Sequence, residues 1–274
     1  MAENSTIEWT HHTFNPWEGC QKVGPGCDNC YAEARDIRFT GGTHWGPGAP
    51  RRRTSVANWR KPLAWDRAAA LAGERHRVFC ASLADVFDNA VDPAWRDDLW
   101  RLIEATPNLD WMLLTKRPGN IAKMLPPIWG AGWHNVWLGC TVVNQEEADR
   151  DIPKLLAVPA AIRFLSMEPL LGPVDLMSLD PHGDFRPYGA NGWSAIWKDN
   201  RIGRAWLDLV IVGGESGKKA RVWVGFEDAC RSLRDQCAAA GTSFFMKQMA
   251  GPRKSTMPPI PDDLMVREMP NAQQ

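Results

Sequence analysis

The sequence predicts an α/β fold: a parallel (β/α) barrel, complete or partial and TIM-like, with loop insertions. Three observations predict it. Short apolar runs recur along the chain, each stopping at polar or glycine-rich residues, and stretches with helical spacing lie between several of them. At 274 residues and 44% hydrophobic, the chain can bury a large core and is too apolar to be disordered. Strand followed by helix, repeated, gives a parallel sheet with helices outside. A doubly wound open sheet is the competing architecture, because periodicity alone does not say whether a parallel sheet closes.

The expected strands, in order, are Ile7 to Thr13, Val78 to Leu83, Leu109 to Thr115, Val136 to Thr141, Ile162 to Ser166, Leu207 to Gly213 and Ser243 to Lys247. The expected helices are Pro93 to Ala105, Gln145 to Leu156 and Gly225 to Ala240, the last stopped by Gly241. One barrel domain is expected over residues 1–250, carrying a cysteine loop at 15–31, a basic loop at 41–61 and a rim insertion at 177–204. Residues 251–274 read as a surface-hugging tail. Within the basic loop, Arg51, Arg52, Arg53, Arg60 and Lys61 form a cationic end without an acidic neighbour, read either as a solvated excursion or as a phosphate-gripping lid.

Charge and segment composition exclude several classes. Thirty-two basic and thirty-two acidic residues cancel, so bulk positive charge is not the source of any nucleic-acid affinity. No apolar run long enough for a membrane span occurs, and the N-terminus is polar, so no membrane partner and a cytoplasmic location are expected. Fifteen Trp against two Tyr is unusual, but Trp fills cores as readily as it stacks on ligands.

Chemistry concentrates in the cysteine loop. Seven cysteines make a poor disulfide framework, and three of them, Cys20, Cys27 and Cys30, share one short glycine- and proline-rich segment. The loop follows the first strand, which in a barrel places it at the C-terminal mouth where active sites lie. Three thiolates without an obvious fourth leave two options open. One is a [4Fe-4S] cluster with one iron free for a small ligand; the other is zinc, completed by His11, His12 or His44.

Polar residues at strand ends supply the other candidates. Ser82 and Asp85 follow the second strand, and Lys116 and Arg117 follow the third, suited to a carboxylate or phosphate. Glu168 closes an otherwise apolar strand. Gly213 and Gly214 allow close ligand approach before Glu215, and Lys247 ends the last strand, as a partner for Glu215 or for a substrate anion. Cys80, Cys140, Cys230 and Cys237 read as core, and His76 and His134 sit near strand beginnings and receive no role.

The segment with Trp9, Thr13, Asn15-Pro16, Gly19-Cys20, Gly24-Pro25-Gly26-Cys27 and Asn29-Cys30-Tyr31-Ala32 resembles the opening of the phage Gp37/Gp68 family, a domain of unknown function. Later blocks resemble it too: Asp85-Val86-Phe87, Leu114 to Pro118, Leu138 to Val142, Ser166 to Leu170 and Val212 to Gly217. That family in turn resembles radical S-adenosylmethionine enzymes.

The resemblance implies a [4Fe-4S] cluster on Cys20, Cys27 and Cys30, with S-adenosylmethionine as second cofactor and a 5′-deoxyadenosyl radical acting on an unidentified substrate. It also implies cofactor contacts at Ser82, Asp85, Glu168, Gly213, Gly214 and Glu215, and substrate contacts at Lys116, Arg117 and Lys247. Nucleic acid or a modified nucleotide is a candidate target, and no electron donor is indicated. Three features depart from the common pattern. Six residues separate Cys20 from Cys27, the aromatic Tyr31 follows the last cysteine instead of preceding it, and the Gly-Gly-Glu run stands after a late strand instead of the second.

Two alternatives accompany this reading. One is a non-catalytic, zinc- or cluster-stabilised nucleic-acid-binding protein using Arg51 to Lys61. The other is a barrel hydrolase with Glu168 and Glu215 as an acid/base pair.

Overall fold

The computed structural model describes residues 5–179, 194–196 and 206–270. Of the expected rim insertion at 177–204, residues 180–193 and 197–204 lie outside the described residues. By internal packing the chain divides into two compact units, residues 1–138 and 139–274.

The first unit contains β1 (His12–Thr13), β2 (Trp17–Glu18), α1 (Tyr31–Thr40), β3 (Arg52–Arg53), α2 (Val56–Trp59), α3 (Lys61–Ala72), β4 (His76–Cys80), α4 (Pro93–Glu104), β5 (Leu109–Thr115) and α5 (Ile121–Met124). The division falls within β6 (Val136–Thr141). The second unit continues with α6 (Gln145–Leu156), β7 (Ile162–Met167), β8 (Leu209–Gly213), α7 (Phe226–Ala240) and β9 (Ser243–Gln248).

Seven strands form one sheet in the order β1-β4-β5-β6-β7-β8-β9, and β2 pairs with β3 separately. The pairs β1/β4, β4/β5, β7/β8 and β8/β9 are parallel. The order follows the chain without reversal, as in a partial (β/α) barrel; a doubly wound sheet would reverse at a switch point. The strands are near-continuous apolar runs because a parallel sheet is covered on both faces. Val78, Trp111, Met112 and Leu113 are buried in the first unit, and Phe164, Leu165, Val210, Ile211 and Phe244 in the second.

Local signals account for the helices that the sequence marks. The Asp92 side chain accepts from Ala94 N at 2.9 Å, with Pro93 in the first turn, and α4 buries Leu99, Trp100 and Ile103. The Asn144 side chain caps α6 through Glu147 N at 2.9 Å, while the Glu147 carboxylate reaches back to Val143 N at 3.1 Å. α7 buries Ala229, Cys230, Leu233 and Cys237 along one stripe.

Several details differ from expectation. β1 has two residues, because only His12 and Thr13 run alongside Val78 and Phe79. The second expected strand begins earlier, at His76, and ends at Cys80 before a cis Cys80-Ala81 peptide bond. The expected loop at 41–61 holds β3 and α2 and runs into α3. Arg51 is buried and paired with Asp88 at 2.7 Å, whereas Arg52 and Arg53 are exposed, Arg52 paired with Glu18 and Arg53 with Asp98 at 2.6 Å and over the Trp59 ring. The tail packs along β9, with Met246 N donating to Val266 O at 2.8 Å, Glu268 N to Phe244 O at 2.9 Å, and Leu264 fully buried. Among the described residues no helix is long and apolar enough to cross a membrane.

Candidate functional site

The cysteine loop leaves β1 and is tied at once to the chain beyond the C-terminal end of β4. Asn15, fully buried, accepts from Leu83 N at 2.7 Å and donates to Ser82 Oγ at 3.0 Å. Its own carbonyl accepts from Thr54 Oγ1 and from Asn58 Nδ2. Gly19 N donates to Leu83 O at 3.1 Å, and Tyr31 Oη to Ser82 O at 2.6 Å. Ser82 thus serves as an anchor for both ends of the loop.

Gly19 is required where it stands. Its φ of +107° is in the left-handed region, and a Cβ there would meet His44 O at 2.5 Å. Cys27 closes a 3₁₀ turn by donating its N–H to Gly24 O at 2.9 Å, and Cys30 is the N-cap of α1, beside the positive end of the helix dipole.

Cys20 faces charge. Arg117 Nη1 lies 3.5 Å from Cys20 Sγ and 3.0 Å from Asp85 Oδ2, and Arg117 Nη2 donates to Gln21 O at 2.9 Å. Asp85 also accepts from Thr115 Oγ1 at 2.7 Å, Phe87 N at 2.9 Å and Lys116 N at 3.0 Å. Four donors therefore occupy its carboxylate. Asp88 holds Arg51 at 2.7 Å, and Arg96 donates to Val86 O and Asp88 O.

Burial pushes the Cys20 thiol up to about 11, with Asp85 adding to the rise and Arg117 opposing it. Burial works against the Arg117 charge as well. Asp85, Cys20 and Asp88 outweigh that penalty and hold its proton above the usual range.

The second unit carries its own polar group. Glu168 Oε2 accepts from Ser166 Oγ at 3.1 Å, and Lys247 Nζ lies 2.5 Å from Glu168 Oε1. Lys247 therefore pairs with Glu168 and not with Glu215. Glu215 instead forms a two-oxygen pair with Arg221, at 2.7 Å and 2.9 Å, and accepts Arg221 N at 2.8 Å. Gly214 exchanges hydrogen bonds with Gln248, N to O at 3.0 Å and O from Nε2 at 2.9 Å.

The structure thus brings Cys20, Asp85 and Arg117 together; Asp88 and Arg96 beside them were not singled out in the sequence, and Arg51 stood there only as part of the basic loop. The signal for Asp88 and Arg96 was available in charged residues set among apolar ones near Val86, Phe87 and Val91. Of the histidines considered for zinc, His44 pairs with Asp36 at 3.0 Å and His12 stacks on Trp65. Among the described residues no group of three or more His, Cys, Asp and Glu side chains is placed to hold a metal ion.

A family model described as "Protein of unknown function (DUF5131)" matches residues 4–271. The chain belongs to that family. The match spans both units of this DUF5131 chain, including the cysteine loop and the strand-end residues of β7, β8 and β9. No curated protein matches the chain, and no solved structure matches it.

Proposed function

We propose that this DUF5131 protein is an iron–sulfur enzyme of the radical S-adenosylmethionine type, with Cys20, Cys27 and Cys30 as the cluster ligands. The observation that carries the reading is the charge balance behind Cys20. Three guanidiniums, Arg51, Arg96 and Arg117, share a hydrogen-bonded group with only two carboxylates, Asp85 and Asp88. Arg51 Nη2 is buried with no hydrogen-bond partner among the described residues. A buried positive excess with an unused donor suits an anionic group on Cys20, the thiol that Arg117 faces, since unpaired buried charge is costly. The donor set suits it too: three soft thiolates and no fourth cysteine in the loop match a cluster with one iron left for a small ligand.

The resemblance of the Trp9 to Ala32 segment to the phage Gp37/Gp68 family, and through it to radical enzymes, supports the same reading, as does the sheet order of a partial barrel. When bound and reduced, such a cluster supplies the electron that cleaves a carbon–sulfur bond of S-adenosylmethionine. The chain's own part is to bind and to orient. Asn15, Ser82 and Tyr31 fix the ends of the loop, Asp85 aims Arg117 at Cys20, and burial around Asp85 and Thr115 keeps water away. Glu168 and Lys247 offer one acceptor and one cation for a polar ligand.

The test is anaerobic iron–sulfide reconstitution, metal analysis, and EPR of the reduced protein with and without S-adenosylmethionine, with Cys27→Ala as control. About four irons per chain and a signal that responds to the cofactor and disappears in the variant are expected. One tightly held zinc, or a cluster indifferent to the cofactor, would overturn the proposal in favour of the binding-protein alternative.

A further inference from the structure

We infer that Arg117 is a positioning residue that sets the reduction potential of the group bound through Cys20, with Asp85 holding its guanidinium in register. The inference rests on the iron–sulfur reading above and adds the regulation of that site. Arg117 is thirty-two residues from Asp85 and ninety-seven from Cys20, yet one guanidinium reaches both and Gln21 O as well. Its side chain is 8% exposed, so water screens its charge little.

The geometry is a planar fork used on three acceptors. Asp85 takes one N–H at 3.0 Å, Gln21 O takes the other terminal nitrogen at 2.9 Å, and Cys20 Sγ lies 3.5 Å from the first. Asp88 Oδ1 lies 4.0 Å from Arg117 Nε, and Asp88 is itself committed to Arg51. The charge next to Cys20 is therefore fixed in place from both sides. Hydrogen bonds to sulfur and nearby net charge are the protein's main controls on cluster potential. A cation held against one ligand sulfur stabilises the reduced state, which carries one more negative charge, over the oxidised state. Removing it must make reduction harder.

The experiment is an EPR-monitored titration with dithionite of reconstituted wild type, Arg117→Gln and Arg117→Lys, with iron content and circular dichroism recorded for each. Arg117→Gln should lower the equilibrium constant for reduction at least tenfold, a shift of about 59 mV to more negative potential for one electron. Arg117→Lys keeps the charge but gives up the fork. It should fold and load even where Arg117→Gln does not, and its midpoint should fall between the other two, or below wild type when measured alone. Loaded variants with the wild-type midpoint would overturn this inference and leave the iron–sulfur reading standing. Wild-type protein that takes up no iron would overturn both.

Discussion

The histidines at the start of the sheet make the protein acid-sensitive by an amount that can be worked out. His12, 5% exposed, stacks on Trp65 with ring centroids 4.4 Å apart, and its Nε2 lies 3.2 Å from His76 Nδ1. Burial, with the neighbouring His76 and His11 acting in the same direction, lowers His12 from 6.5 to about 4. His11, stacked on His76, is lowered in turn by burial and then by Arg77 and His76, against Glu74 and Asp110. The sign follows from proton counting. Between the two values the unfolded chain binds the proton and the folded chain does not, so stability is full above about pH 6.5 and falls as acid is added.

For His12 alone the loss is about 2 kcal/mol between about pH 8 and pH 5, and about 3 kcal/mol once the pH is well below 4. The perturbation is His12→Phe, which keeps an aromatic ring against Trp65 and removes the titrating group. Urea unfolding of both proteins across this range isolates the histidine as the difference between two pH profiles. The wild-type profile should fall about 2 kcal/mol further than the variant's by about pH 5. Profiles parallel to within about 0.5 kcal/mol would refute the argument that burial keeps this imidazole neutral.

Other substitutions separate buried from exposed charge. Asp88→Ala leaves Arg51 uncompensated in the interior and should cost about 3–5 kcal/mol in denaturant unfolding. Arg53→Ala removes an exposed pair with Asp98 and a ring contact with Trp59, and should stay within about 1 kcal/mol of wild type in the same assay. Gly19→Ala forces a left-handed backbone and a clash with His44 O, so thermal unfolding should show a loss of about 1–3 kcal/mol. Leu233→Ala, at a fully buried position in α7, should cost about 2–5 kcal/mol by urea unfolding.

The strands from β5 onward were legible because each is an apolar run covered on both faces, which leaves an unbroken signal in the chain. α1 was not, because it has no apolar stripe: Ile37 and Phe39 are exposed and only Ala32 and Asp36 are buried. α3 did carry a signal that was passed over. Pro62, Trp65 and Ala69 recur at helical spacing on its buried side, Pro62 stands in the first turn, and Gly73 stops it in the left-handed conformation. The cysteine loop was readable from spacing alone, whereas the Asp85 to Arg117 pairing joins residues whose partners are set by strand alignment.

That alignment also explains the misassigned partner of Lys247. Along the sheet Met167 of β7 pairs with Val212 of β8, and Val212 with Met246 of β9. One residue further on the register shifts: Gly213 pairs with Gln248, so Lys247 is the extra residue of a bulge on β9, while Glu168 directly follows β7 on the other side of β8. With strand neighbours about 4.8 Å apart, two side chains flanking a middle strand meet only by crossing over it. A side chain at position 213 would stand in that path, since a Cβ there falls 3.1 Å from Glu168 Oε1. The first glycine of the Gly-Gly-Glu run therefore has a structural reason of its own, which is to let the pair close. Glu215, pointed to by the same run, is taken by Arg221, six residues away in the chain, whereas Glu168 and Lys247 meet from different strands. Among the second unit's strand-end residues, that pair is the place to look first for ligand-dependent change.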